Sequence, residues 1–172
     1  MLRLHEGAGD GELLYGLATD DAHDHYEVDA TSVPGRGWVM VRSSSLDADA
    51  IIDAMKRGDF YASSGVGLDE VTFDEETLKI AINAEPGLTY TTEFIGVGES
   101  TPGVRPTAEV LMATTENPAR YRFTGDELYV RARITSSRAH PRPYAEGDRE
   151  QAWVQPVRPT KRTNAEPATA SP

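Results

Sequence analysis

The 172-residue sequence contains no cysteine. That absence removes disulfide scaffolds, thiolate metal sites and cysteine nucleophiles together, while leaving the compartment open. Basic residues are also scarce: 17 Lys and Arg stand against 28 Asp and Glu, for a net charge of −11. Proteins that track DNA or RNA backbones do so by neutralising phosphates with Lys and Arg, so no nucleic-acid partner is expected. The same balance leaves room for a small phosphorylated substrate held at a metal. Aromatic residues make up 8% and apolar residues 38%, low but adequate for a core. No apolar run approaches the ~20 residues that span a bilayer, and the charged-then-apolar layout of a signal peptide is missing. No membrane partner is expected, and the cytoplasm is the favoured location. Glycine and proline, by contrast, are plentiful at 15 and 11; they favour short strands and turns over long helices.

A chain of this length fits one ordinary domain or two small ones. Leu2 and Leu4 read as the close of a helix, with Gly7 and Gly9 as its stop. Leu13-Leu14-Tyr15-Gly16-Leu17-Ala18 is a short continuous apolar run between turn residues, the pattern of a parallel strand buried on both faces. Gly37 to Val41 is the next strand candidate. The clearest helix follows: Ser43-Ser44-Ser45 offers N-cap hydroxyls, and Asp47 and Asp49 suit the positive end of the dipole. Ala48, Ile51, Ile52 and Met55 form its apolar stripe, and Gly58 is its stop. Phe60 to Gly65 returns as an extended segment.

After Gly67 the apolar period changes to two. Val71 and Phe73, a polar turn at Asp74-Glu75-Glu76, then Leu78, Ile80 and Ile82 read as a hairpin. Tyr90 to Val97, Glu109 to Thr114, Arg120 to Thr124, Leu128 to Ile134 and Trp153-Val154 are further strand candidates. Short strands with polar turns indicate a small antiparallel sandwich. Residues 158–172 are rich in Pro, Thr and Ala with no apolar period, and read as a disordered tail.

One cluster of ligand-type side chains follows the first strand candidate: Thr19-Asp20-Asp21-Ala22-His23-Asp24-His25. In an extended chain residues two apart point the same way, so Asp21 and His23 can reach one cation. A carboxylate oxygen and an imidazole nitrogen suit Zn²⁺, Mn²⁺ or Fe²⁺. The alternative is a polar strand exit with solvated carboxylates, and the spacing leaves both open.

The blocks LYGLATDDAHD, GRGWVMVR, KRGDFYASSGV and AWVQPV, in that order, resemble the C-terminal part of PHP-domain proteins, the polymerase and histidinol phosphatase superfamily. The resemblance covers Leu14 to Val157 and is nearest to metal-dependent phosphoesterases. It implies a distorted β/α barrel with two or three metal ions, at which activated water attacks a phosphate ester. It maps the last ligand motif onto Asp21 and His23, and it assigns no catalytic acid or base here. The H-x-H motif that opens the family's ligand set has no counterpart; His5 is isolated. The expected fold is therefore α+β, mainly β. Residues 1–66 are read as the last strand or strands and helix of the barrel, 67–157 as a β-sandwich accessory domain, and 158–172 as tail. The expected function is that of a C-terminal fragment of such an enzyme, inactive alone, with divalent metal bound weakly or not at all and a phosphorylated small molecule as the intact protein's substrate. Self-association is expected through strand edges left without neighbours. The competing reading makes the sandwich a recognition module for carbohydrate or protein.

Other residues have plainer readings. His25 is read as a loop or hydrogen-bonding residue rather than a third ligand, Asp20 as a strand-end cap and Asp24 as solvent-facing. Arg36 and Arg42 could meet a phosphate, but surface ion pairs are the simpler expectation. Ser63 and Ser64 fit turn chemistry, His140 a flexible loop, and Trp38 and Trp153 core or rim packing.

Overall fold

A computed structural model of the chain describes residues 13–26, 32–98 and 107–159. The expected helix end around Leu2 to Gly9 and residues 160–172 of the expected tail lie outside them. Strand alternation dominates what is described. In β4 (Thr77–Ile82) Leu78, Ile80 and Ile82 are buried while Thr77, Lys79 and Ala81 are half-buried. β3 (Leu68–Phe73) pairs with it antiparallel, Phe73 opposite Leu78. The Asp74 carboxylate closes that hairpin by accepting from the Glu76 and Thr77 N–H groups, both at 2.8 Å. β7 (Ala119–Arg122) completes a three-stranded sheet in the order β3-β4-β7.

The second sheet has six strands. β1 (Trp38–Val41), β2 (Phe60–Ser63), β5 (Tyr90–Gly98), β6 (Glu109–Thr114), β8 (Glu127–Ala139) and β9 (Arg149–Val154) lie in the order β1-β2-β9-β8-β5-β6. Phe94 of β5, Val130, Ala132 and Ile134 of β8, and Ala152 and Val154 of β9 share one buried cluster with β4 and β7. The protein is thus mainly β, two antiparallel sheets around one core, as the period-two pattern predicts. Gly96 shows how tight that packing is: a side chain there would meet Leu111 at 2.6 Å and the Tyr129 carbonyl at 2.8 Å.

The outer face of the large sheet carries the chain's earlier part. Glu93, Arg133, Trp153 and Ala62 are successive cross-strand neighbours on it, and Arg133 forms an ion pair with Glu93 at 2.7 Å. The helix α1 (Ala48–Lys56) packs against β1 at one side.

Several expectations change in three dimensions. Residues 13–18 form no strand, and Leu14 and Leu17 are 44% and 58% exposed. In place of a parallel ladder, the Gln155 side-chain amide satisfies both polar groups of Gly16, at 2.8 Å each. Every ladder among the described residues is antiparallel. The boundary expected at residue 66 does not divide sheets, because β2 pairs with β9. The helix begins later than the serines suggest: Asp47 is its N-cap and accepts from Ala50 N–H at 2.9 Å, while Ser45 donates to the Asp47 carboxylate. Its stripe is also rotated. Ala54 is the fully buried residue and Ile52 is 48% exposed, because a helix lying on a sheet edge covers only a narrow strip. Gly58 ends it with φ +78°, as expected. Asp47→Ala is expected to lower the thermal midpoint by about 2–4 °C, with Ser43→Ala nearly silent; circular dichroism melts distinguish the two.

Candidate functional site

The ligand-type cluster is built around Asp20. Its carboxylate accepts N–H groups from Gly35 (2.7 Å), Arg36 (2.7 Å) and Gly37 (2.6 Å), tying residues 18–21 to the loop that enters β1. Burial alone would raise its pKa, but the three N–H groups and the Arg36 guanidinium hold it below the ordinary carboxylate value. Asp20 hydrogen-bonds as expected, but it anchors the loop before β1 instead of capping a strand, since residues 13–18 form none.

Asp21 follows in the left-handed region at φ 49°, a conformation that Asp tolerates better than most residues. This bend turns the chain so that the Asp21 carbonyl meets His23 Nδ1 at 2.9 Å. A carbonyl only accepts, so Nδ1 donates here, and in the neutral ring Nε2 is the nitrogen with a free lone pair. The N–H groups of His23 and Asp24 both donate to the Ser32 carbonyl, at 3.1 and 3.0 Å. His23 and His25 are exposed and Asp24 is half-buried.

Asp21 also lines a cleft of about 460 Å³ on the outer face of the large sheet. One wall is residues 18–21 with Arg36, the floor holds Ser64, Gln151 and Trp153, and the far wall is the connection from β8 to β9. His23 and His25 are not among its lining residues. That far wall is rigidly tied. His140 is 8% exposed; its Nδ1 accepts from Arg142 N–H at 3.1 Å and its Nε2 meets the Arg36 carbonyl at 3.0 Å. Arg142 donates to the Pro34 carbonyl at 2.7 Å, and Arg36 lies 5.2 Å over the Tyr144 ring. The expected flexible His140 is therefore a buried strut. Prolines on both sides of Arg142 restrict that loop, the one local signal that could have marked it.

The remaining candidates fall as read. Arg42 pairs with Asp59 at 3.2 Å. Ser63 is buried and bonded to the Val66 carbonyl at 2.8 Å, and Gly65 N–H donates to its hydroxyl at 3.0 Å. Trp38 is 40% exposed at the sheet edge, and Trp153 forms cleft floor. No helix is long and apolar enough to cross a membrane among the described residues.

The left-handed bend at Asp21 replaces the extended geometry expected to aim Asp21 and His23 at one cation, and the pair would supply at most two donors. No group of three or more His, Asp or Glu able to hold one occurs among the described residues, and functional zinc sites take at least three protein ligands. Fold and site together define a two-sheet antiparallel β protein with a polar cleft on its outer face. Compared with known families, curated proteins and solved structures, the chain matches none.

Proposed function

We propose that this two-sheet β protein is part of a metal-dependent phosphoesterase of PHP type, contributing Asp21 and His23 to a metal site completed by residues other than those described. The observation that supports this reading is the His23 ring. A backbone carbonyl holds its Nδ1 proton, the arrangement that orients metal-binding imidazoles and frees Nε2 as ligand. A divalent cation, Zn, Mn or Fe, would acidify a water and offset phosphate charge. The two donors present do not make that site alone, so no catalytic step is assigned to this chain.

The test is metal retention after dialysis, read by mass spectrometry, beside turnover of an aryl phosphate with added Mn²⁺ or Zn²⁺. The expected result is substoichiometric metal, reduced further by His23→Ala or Asp21→Asn, and no turnover. Equal retention by wild type and both variants defeats the ligand assignment. Stoichiometric metal with robust turnover defeats the view that the site needs further residues.

A second reading, a protein- or carbohydrate-recognition module, is favoured by β6. That edge strand leaves Val110, Leu111 and Met112 exposed at 52%, 37% and 37%. It is also where the proposed self-association would form, by strand pairing.

A further inference from the structure

We infer that the outer-face cleft binds a neutral saccharide, with Tyr144 and Trp153 against the sugar ring and Asp21, Arg149 and Ser64 on its hydroxyls. This rests on the carbohydrate-recognition reading, but it places the site in the cleft instead of at β6 and needs no metal at Asp21 and His23.

The charges of the cleft cancel. In a chain of net charge −11, the described lining carries the carboxylates of Asp20, Asp21 and Asp148 and the guanidiniums of Arg36, Arg142 and Arg149. His140 accepts from Arg142 N–H at Nδ1, so its ring is neutral and adds no charge. Asp20 is saturated by three main-chain N–H groups, and Asp148 accepts from Tyr144 and Ala145 N–H at 3.0 and 2.9 Å. Nothing among the described residues donates to the Asp21 carboxylate. An anion entering here meets Asp21 as well as the arginines, and a cation meets the arginines as well as Asp21; an uncharged ligand meets neither repulsion.

The hydrogen-bonding groups left unspent are of both kinds. Asp21 and Gln151 Oε1 accept, while the Gln151 amide nitrogen is used on Thr135 at 3.2 Å. Arg142 and Arg149 each spend one N–H on a main-chain carbonyl, of Pro34 and Ser137 respectively, out of the five that a guanidinium carries. Ser64 Oγ accepts the Gln151 N–H at 3.0 Å, which leaves its own O–H to donate into the cleft. A sugar hydroxyl donates and accepts at once, so neighbouring hydroxyls are satisfied by such a mixed set. Ionised phosphate oxygens only accept, and would leave Asp21 and Gln151 Oε1 without a donor.

Two aromatic rings complete the lining. Tyr144 is 78% exposed, yet Asp148 holds its main-chain N–H and the Arg36 guanidinium lies over its ring. An apolar ring is thus kept at the mouth of the cleft in a fixed place, above a floor that includes Trp153. Such rings pack on the C–H face of a sugar while their polar tips suit its hydroxyls. The volume of about 460 Å³ lies within the range of about 300–1,000 Å³ for small-molecule sites. The His140 and Arg142 bonds hold the far wall in place before a ligand arrives, which lowers the ordering cost of binding.

The experiment is titration of the full chain with the methyl glycosides of glucose, galactose, mannose and N-acetylglucosamine in buffer containing EDTA, followed by amide NMR shifts. Saturable binding of at least one is expected, with a Kd of about 1 mM and shifts at Asp21, Ser64, Tyr144 and Arg149. Because the ligand is uncharged, 0.5 M salt is expected to change that affinity by less than about twofold. Inorganic phosphate is expected to bind more weakly than the glycoside. Tyr144→Ala, which removes an exposed ring, and Arg149→Gln are each expected to weaken binding about tenfold, while Arg42→Ala and Val110→Lys on β6 leave it within about twofold. Absence of saturable binding by every glycoside, tighter binding of phosphate, or wild-type affinity in Tyr144→Ala or Arg149→Gln overturns the inference. Shifts confined to β6, with binding lost in Val110→Lys, overturn the cleft site and leave the recognition reading standing. Cleft shifts that persist in EDTA and in Val110→Lys uphold the site independently of both the metal and β6.

Discussion

Phe94→Ala is expected to destabilise the protein by about 4 kcal/mol, in the range for truncating a fully buried aromatic residue. Phe94 has no exposed surface and packs on Tyr121, ring centroids 5.4 Å apart, across the two sheets. It stands opposite Ala132 on β8 and Met112 on β6, so the ring lies where both sheets and three strands meet. Removing it leaves a cavity whose walls are strands held by ladder hydrogen bonds, and these cannot collapse inward. Phe94→Leu keeps most of the volume and should lose roughly 1–2 kcal/mol. Phe73→Ala is the contrast: that ring also sits at an alternating apolar position, yet it is 60% exposed, and its loss is expected to be below about 1 kcal/mol. Urea denaturation of the three variants checks the order. A similar loss for Phe94→Ala and Phe73→Ala would contradict the assignment of the core.

Glu127→Ala is expected to lose roughly 3 kcal/mol, unusual for a carboxylate at the start of a strand. The Glu127 side chain is nearly buried and accepts three hydrogen bonds through one oxygen or the other. They come from the Tyr121 hydroxyl at 2.8 Å and the Thr124 and Gly125 N–H groups at 2.9 Å each. Truncation leaves those donors without partners, two of them main-chain groups that cannot turn away. Burial opposes the charge, but these donors outweigh it and hold the carboxyl below its ordinary value. Burial first, and then this carboxylate, push the Tyr121 phenol above its own ordinary value.

A carboxyl whose folded pKa lies below its unfolded one stabilises the protein in full above the unfolded value, 4.5 here, and loses that contribution as pH falls below it. Stability should therefore fall on acidification from about pH 5 in the wild type. Glu127→Gln should reduce that slope, and the measurement is urea unfolding at a series of pH values. An unchanged slope in the variant means that other carboxylates carry the acid limb.

The turn at Gly125-Asp126-Glu127 is legible in the residues, but the hub made there is not. Glu127 reads as a turn residue because two of its donors, the Thr124 and Gly125 amides, belong to that turn, while the Tyr121 hydroxyl that completes the buried hub arrives only from β7. The same holds at the cleft. Asp21 and His23 stand out by spacing, and the structure adds the bend at Asp21 that gives His23 its tautomer. Arg149 and Gln151 carry no local mark, and the prolines around Arg142 mark only a restricted loop, since nothing near these residues in sequence says that they will face residues 18–21.

What the sequence determined by itself is local and periodic. Alternation at Leu78, Ile80 and Ile82 set which side of β4 is inside whatever partner it met, because side chains of a strand leave on opposite faces. Asp74 closed its hairpin with two neighbouring N–H groups, and Gly58 stopped the helix because it alone adopts that φ cheaply. Folding decided the rest. That β2 pairs with β9 rather than closing a separate segment at residue 66, that Gln155 takes the place of a strand beside Gly16, and that the cleft joins residues 18–21 to 140–153 all depend on contacts more than eighty positions apart in the chain. Pairings of that range are selected by register and by the burial of whole faces. No window of neighbouring residues contains that information.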